Sequence, residues 1–85
     1  METQLPLFPE TIALTRIRPD KNERRFYRME VRPDLFGRTT LIRQWGRIGT
    51  SRRQRFDHYP DIGAAVNALA QRAKAKQRRG YSVVY

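Results

Sequence analysis

The hydrophobic period changes once along this chain, at Pro60-Asp61. Before that point apolar residues recur every second position; after it they recur at helical spacing. Thr11 to Arg18 is rich in β-branched residues and predicts a first strand, followed by turn chemistry in Pro19-Asp20-Lys21-Asn22. Arg25 to Arg32 sets Tyr27, Met29 and Val31 against Arg28, Glu30 and Arg32, the pattern of a half-buried strand, with Phe26 left on the polar face. Pro33 to Gly37 reads as a turn. Thr39 to Trp45 reads as a third strand with Thr39, Leu41, Arg43 and Trp45 on one face. Gly46 to Ser51 turns into a fourth strand over Gln54 to Tyr59. Asp61 then predicts a helix N-cap. Ile62, Val66, Leu69 and Ala73, with Ala65 and Ala70 beside them, form a thin stripe that brings the helix close to the sheet. Arg72, Lys74, Lys76, Arg78 and Arg79 on its far side and last turn suit the negative end of the helix dipole, and Gly80 suits its C-cap. Tyr81 to Tyr85 reads as a last short strand. The expected class is α+β: a small antiparallel sheet, made of a four-strand meander plus a short C-terminal strand, packed against one α-helix.

At 85 residues this is one small domain, with a thin stability margin and no Cys to staple it. No apolar run approaches the roughly 20 residues of a membrane span, and Met1-Glu2-Thr3 is unlike a secretory signal. A cytoplasmic, nucleoid-associated location is the expectation. The net charge of +10, from 18 Lys and Arg against 8 Asp and Glu, is unevenly placed. Residues 1–34 carry 7 basic and 6 acidic side chains, whereas residues 35–85 carry 11 and 2. Such asymmetry is the footprint of a polyanion partner, with nucleic acid first and an anionic membrane second. Most of the cations are Arg, which favours bidentate phosphate contact.

The densest chemistry lies in Gln44-Trp45-Gly46-Arg47-Ile48-Gly49, which contains the only Trp. A flat ring beside guanidinium forks on a glycine turn suits a nucleotide stacked next to its phosphate. The residues alone leave a second reading open, a core Trp ahead of a hairpin turn. Arg43 shares the strand face of Trp45 and either lines the same groove or is a solvated charge. Arg52, Arg53, Arg55 and the basic helix end read as a general electrostatic surface. No P-loop, metal-ligand cluster or nucleophile–base pattern is present, so no enzyme activity, cofactor, metal or small-molecule substrate is expected. Asp57-His58 points to opposite strand faces, and His58 is expected to be an ordinary strand residue.

In this order the pieces resemble the WGR domain, in a form similar to its stand-alone bacterial members. The resemblance rests on Trp45-Gly46-Arg47-Ile48-Gly49, on Arg25-Phe26-Tyr27, on Gln54 after the turn, and on a cationic helix end followed by Gly80-Tyr81. It covers residues 10–85. Members are best known as modules of DNA-damage-responsive poly(ADP-ribose) polymerases, where they bind DNA ends and breaks. The resemblance implies that Trp45 packs against a terminal nucleotide, with Gly46 in the motif's turn. It further implies that Arg47 lies near a phosphate or a partner domain, and that Arg25 and Tyr81 reach the backbone. Two departures bear on this: Arg24 stands where many relatives have Asn, with Asn22 near, and Arg53 replaces a turn Gly before Gln54, which leaves the loop conformation open.

Residues 1–9 form a separate arm. Gln4-Leu5-Pro6-Leu7-Phe8 resembles the peptide by which bacterial replication and repair proteins dock on the DNA sliding clamp, with Gln4, Leu5, Leu7 and Phe8 as its contact residues. The alternative is a hydrophobic flap over the sheet. The expected function is a non-enzymatic DNA-binding module that prefers ends, nicks or gaps and reads little base sequence. The competing readings are an adaptor recruited to the clamp through its arm, and a single-strand or RNA binder using a basic, aromatic sheet.

Overall fold

The structure is a computed structural model, and it describes residues 11–50 and 52–84. The arm residues Gln4, Leu5, Leu7 and Phe8 lie outside the described residues. Strand β1 (Thr11–Arg18) passes through a single 3₁₀ turn at Pro19–Lys21 into β2 (Glu23–Pro33). Then follow β3 (Thr39–Arg47), β4 (Arg52–Tyr59), helix α1 (Ile62–Arg78) and a two-residue β5 (Ser82–Val83). The sheet order is β4-β3-β2-β1-β5, and every neighbouring pair is antiparallel. The α+β architecture expected from the period change is therefore present, with α1 on one face.

The turns follow from their side chains. Asn22 takes the left-handed conformation (φ 52°) that closes the 3₁₀ turn, a conformation Asn tolerates better than most residues. The Asp34 carboxylate accepts from the backbone N–H groups of Phe36 (2.8 Å) and Arg38 (3.0 Å) and so fixes the β2–β3 turn. Asp61 caps α1 by accepting from the Ala64 N–H at 2.8 Å. At the other end, the Tyr81 N–H donates to Lys76 O and the Gly80 N–H to Gln77 O, both at 3.0 Å, which is a Schellman closure. Gly80 sits at φ 93°, and a Cβ there would lie 2.9 Å from Arg18 Nη2. The positive φ is what requires glycine, since the Arg18 guanidinium can swing aside, and the closure throws Tyr81 and β5 across to the β1 edge.

Leu14, Tyr27, Met29, Val31, Leu41, Ala65, Leu69, Ala73 and Tyr81 form the buried core between sheet and helix. The alternation in β2 and β3 is as the sequence predicts. The helix stripe is rotated from its expected position: Ala65, Leu69 and Ala73 are buried, Ile62 and Val66 are half-buried at its margin, and Ala70 faces solvent. The small Ala65 and Ala73 set the close approach of α1, so the helix turns to present them and leaves the bulkier Ile62 and Val66 at the flanks. No helix among the described residues is long and apolar enough to cross a membrane.

Candidate nucleic-acid interface

Cross-strand register brings the motif together. On the helix-facing side of the sheet, Trp45 stands between Tyr27 of β2 and Arg53 of β4. One row further on, Arg47, Arg25 and Arg16 stand side by side across β3, β2 and β1. Like charges directly opposite one another weaken a sheet, so folding alone gives no reason for this row. Among the described residues a single carboxylate serves Arg16 and Arg25 of this row: Glu23 lies 2.9 Å from Arg16 Nη2, 3.3 Å from Arg25 Nε and 3.6 Å from Arg18 Nε. Desolvation works against the ionised carboxyl, but the Arg16 hydrogen bond and the charges of Arg16, Arg18 and Arg25 outweigh it and hold Glu23 below the ordinary glutamate value.

Trp45 is half-buried. One side of its indole stacks on Tyr27, with ring centroids 5.9 Å apart and planes at 22°, and it packs against the core. The rest of the ring forms a wall shared by two cavities. The first, about 390 Å³, is lined by Arg25, Trp45, Gly46, Arg47 and Arg53. The second, about 280 Å³, is lined by Tyr27, Arg43, Trp45, Ala75 and the α1-end cations Arg72, Lys76 and Arg79. The core-contact reading of Trp45 therefore holds for one side of the ring, while the other side stays open to both cavities. The ring is a core contact on one side and a cleft wall on the other.

Arg43 is neither a groove-lining charge alone nor a solvated one. It is 8% exposed, its Nε donates to Asp57 Oδ2 at 2.7 Å, and its Nη1 donates to the Tyr27 hydroxyl at 3.3 Å. Its guanidinium lies 5.7 Å from the Trp45 ring. Burial opposes its charge, yet the hydrogen bonds it donates to Tyr27 and Asp57, and their charges, raise its pKa above the ordinary arginine value. Arg43 thus braces the indole from below. Nothing in its sequence spacing separates this role from a solvated one, because the partner Asp57 is fourteen positions away.

The fork of Arg47 is aimed by Asn22, with Nη1 donating to the Asn22 carbonyl at 2.8 Å and Nη2 to Asn22 Oδ1 at 3.1 Å. Gly46 pairs in register with Phe26 and Arg52. Expected at the start of the turn, Gly46 lies instead within β3, and it lines the first cavity beside Trp45. Arg53 lies within β4, and Gly49 at φ 85° makes the turn instead. Arg53 was read as general surface charge, but its register opposite Trp45 makes it a cleft residue. Arg52 and Arg55 line neither cavity. Tyr81 is buried, with the Arg16 guanidinium 5.1 Å from its ring. His58 is exposed and hydrogen-bonds Thr40 at 3.1 Å, as an ordinary strand residue would. Among the described residues no cluster of acids and His could hold a metal.

The helix contributes a residue that the sequence misassigned. Lys76 was grouped with the outward cations of the last turn, yet it continues the inward stripe of Ala65, Leu69 and Ala73. Its ammonium lies 4.5 Å from the Tyr27 ring and 5.2 Å from the Tyr81 ring. Burial, and then the charges of Arg79, Arg16, Arg25 and Arg43, push it below the ordinary lysine value. The signal was available: a stripe of period 3.6 running through 65, 69 and 73 arrives at 76.

The sequence profile of the WGR domain family matches residues 10–84. The chain is a WGR domain. It is also 36% identical, over 73 residues, to the "uncharacterized protein y4dW" of Sinorhizobium fredii (strain NBRC 101917 / NGR234). That match covers 86% of this chain and 36% of the relative, so the chain spans about a third of the length of the curated relative. No solved structure matches. A WGR domain is a binding module, not a catalytic one.

Proposed function

We propose that this WGR domain binds nucleic acid, and that it prefers duplex DNA interrupted by an end, nick or gap. The observation that carries the reading is the half-buried Trp45 with Arg25, Arg47 and Arg53 around one cavity against its exposed side. A terminal or unstacked nucleotide offers a face to the indole that continuous duplex hides, at about 1–3 kcal/mol per stacked base. The arginines supply phosphate contact and salt-dependent affinity without reading sequence. In this reading Arg25 and Arg47 hold phosphates, Gly46 lets the strand approach, Tyr81 supports the cleft, and Arg43 keeps Trp45 in place. The arm would add a tether through Gln4, Leu5, Leu7 and Phe8 to a sliding clamp. A peptide of residues 1–10 that fails to bind clamp at high micromolar concentration removes that element alone.

Competition among blunt, nicked, intact and single-stranded DNA and RNA, at two salt concentrations, tests the function. The reading expects nicked and blunt DNA to win, and their lead over intact duplex to collapse in Trp45→Ala. Equal affinity for nicked and intact duplex in the unmodified protein would end the break-recognition reading, and a lead for RNA or single strands would replace it.

A further inference from the structure

The two cavities on either side of Trp45 are different kinds of site. The first opens from the strand ends and is lined by the motif and its register neighbours. The second lies between the C-terminal half of α1 and the sheet, and its cations come mainly from the helix: Arg72, Lys76 and Arg79. Resting on the nucleic-acid reading above, we propose that this second cavity is a phosphate site in its own right. Trp45 is then the partition between two neighbouring phosphates of one strand.

The charge balance inside the cavity favours an anion. Asp57 is shared by Arg43 and Arg55, and Glu23 is committed to Arg16, Arg18 and Arg25. Among the described residues no carboxylate pairs with Arg72, Lys76 or Arg79. The groups facing the Lys76 ammonium are the Tyr27 ring of β2, the Tyr81 ring beyond the helix, and the guanidiniums of Arg16, Arg25, Arg43 and Arg79. A helix C-terminus raises the pKa of a lysine beside it. Here burial first, and then the charges of Arg79, Arg16, Arg25 and Arg43, lower the pKa instead. A half-buried ammonium held over two aromatic rings in the cavity wall, with no carboxylate paired to it, is expensive for folding and useful for binding. A phosphate would supply the missing counter-charge and accept charge-assisted hydrogen bonds from Lys76 and the two exposed arginines.

Lys76→Met puts an apolar side chain of similar length under the same rings and removes the charge. Its binding to nicked duplex should lose about one unit from the slope of log affinity against log salt, while its melting temperature stays level or rises. Arg72→Gln and Arg79→Gln, on exposed side chains that cannot disturb the core, should each weaken the same slope. A set of nicked duplexes, each with one phosphate near the break replaced by an uncharged methylphosphonate, locates the contact. Lys76→Met should become insensitive to the replacement at one position, and Arg47→Ala to that at an adjacent one. If the unmodified protein binds but the Lys76, Arg72 and Arg79 variants keep its salt slope and its full sensitivity at every position, the cavity holds no phosphate. That result leaves break recognition standing. Failure of the unmodified protein to bind any of the duplexes would overturn both.

Discussion

Strand β3 presents one continuous face to the helix, yet its two ends do opposite things. At Leu41 the face is fully buried and belongs to the same core as Leu69 and Ala65. Four residues on, at Trp45, it is half-wet and walled by arginines. The difference comes from what α1 lays over it. The first turns of the helix offer Ala65 and Leu69, while the last offers Lys76, whose ammonium sits over the ring of Tyr27 on which Trp45 stacks. One side of a sheet thus serves as interior where the helix is apolar and as binding surface where it turns cationic.

The dry end should carry stability. Leu41→Ala is expected to cost about 2–5 kcal/mol in urea unfolding, a large share of what a domain this small possesses. Whatever remains folded should bind nicked DNA with an unchanged salt slope. A cost below that of Trp45→Ala would break the comparison, because it would put the core at the cationic end.

Between the ends lies the Arg43–Asp57 pair, and it should behave as part of the interior. Asp57→Asn leaves a mostly buried guanidinium with only the Tyr27 hydroxyl and a neutral amide, at about 1–3 kcal/mol of stability. Its signature beyond stability would be a change in Trp45 fluorescence, since Arg43 lies against that ring. A variant of native stability and spectrum would show that Arg43 is solvated after all.

At the wet end the balance reverses. Trp45→Ala should cost less stability than Leu41→Ala and yet lose about 1–3 kcal/mol of affinity for interrupted duplex, measured by anisotropy. Intact duplex, held by cations alone, should be little affected. Loss of equal size on both substrates would assign the indole to folding rather than recognition.

Much of this was legible in the sequence, for reasons that mark where legibility stops. The strands β1 to β4 and α1 follow from a period that changes once, and Asp61 and Gly80 punctuate the helix where the structure does. Of the six residues the sequence and the resemblance nominate, cross-strand register sets Arg25, Trp45, Gly46 and Arg47 around one cavity, Arg43 lines the second, and Tyr81 is buried and lines neither. Arg53 was missed because its membership depends on pairing opposite Trp45 across a turn, which fixes position only once the register is known. Arg43 stayed ambiguous because an inward arginine looks like an outward one until its carboxylate is found on the next strand. Lys76 was misplaced by composition: a lysine among lysines and arginines in a last turn reads as dipole complement, although the helical period pointed it inward.

The smallest expected effect concerns Glu23, among the described residues the one acid paired with Arg16, Arg18 and Arg25. Its pKa is lowered on folding, so its contribution to stability is complete above the ordinary glutamate range and is lost as pH falls through the lowered folded value. Acidification in that window should weaken the fold slightly and at the same time release the arginines from their shared carboxylate. Nucleic-acid binding should then tighten as the domain loosens, the reverse of what a purely structural ion pair would give. Glu23→Gln should reproduce this at neutral pH, steepening the salt dependence of binding by up to about one unit and flattening the acid limb of the stability profile. If Glu23→Gln instead weakens binding, the carboxylate is needed to hold Arg16 and Arg25 in place. The arginine row would then be a preorganised device whose repulsion Glu23 tunes, rather than a reserve of charge that it holds back.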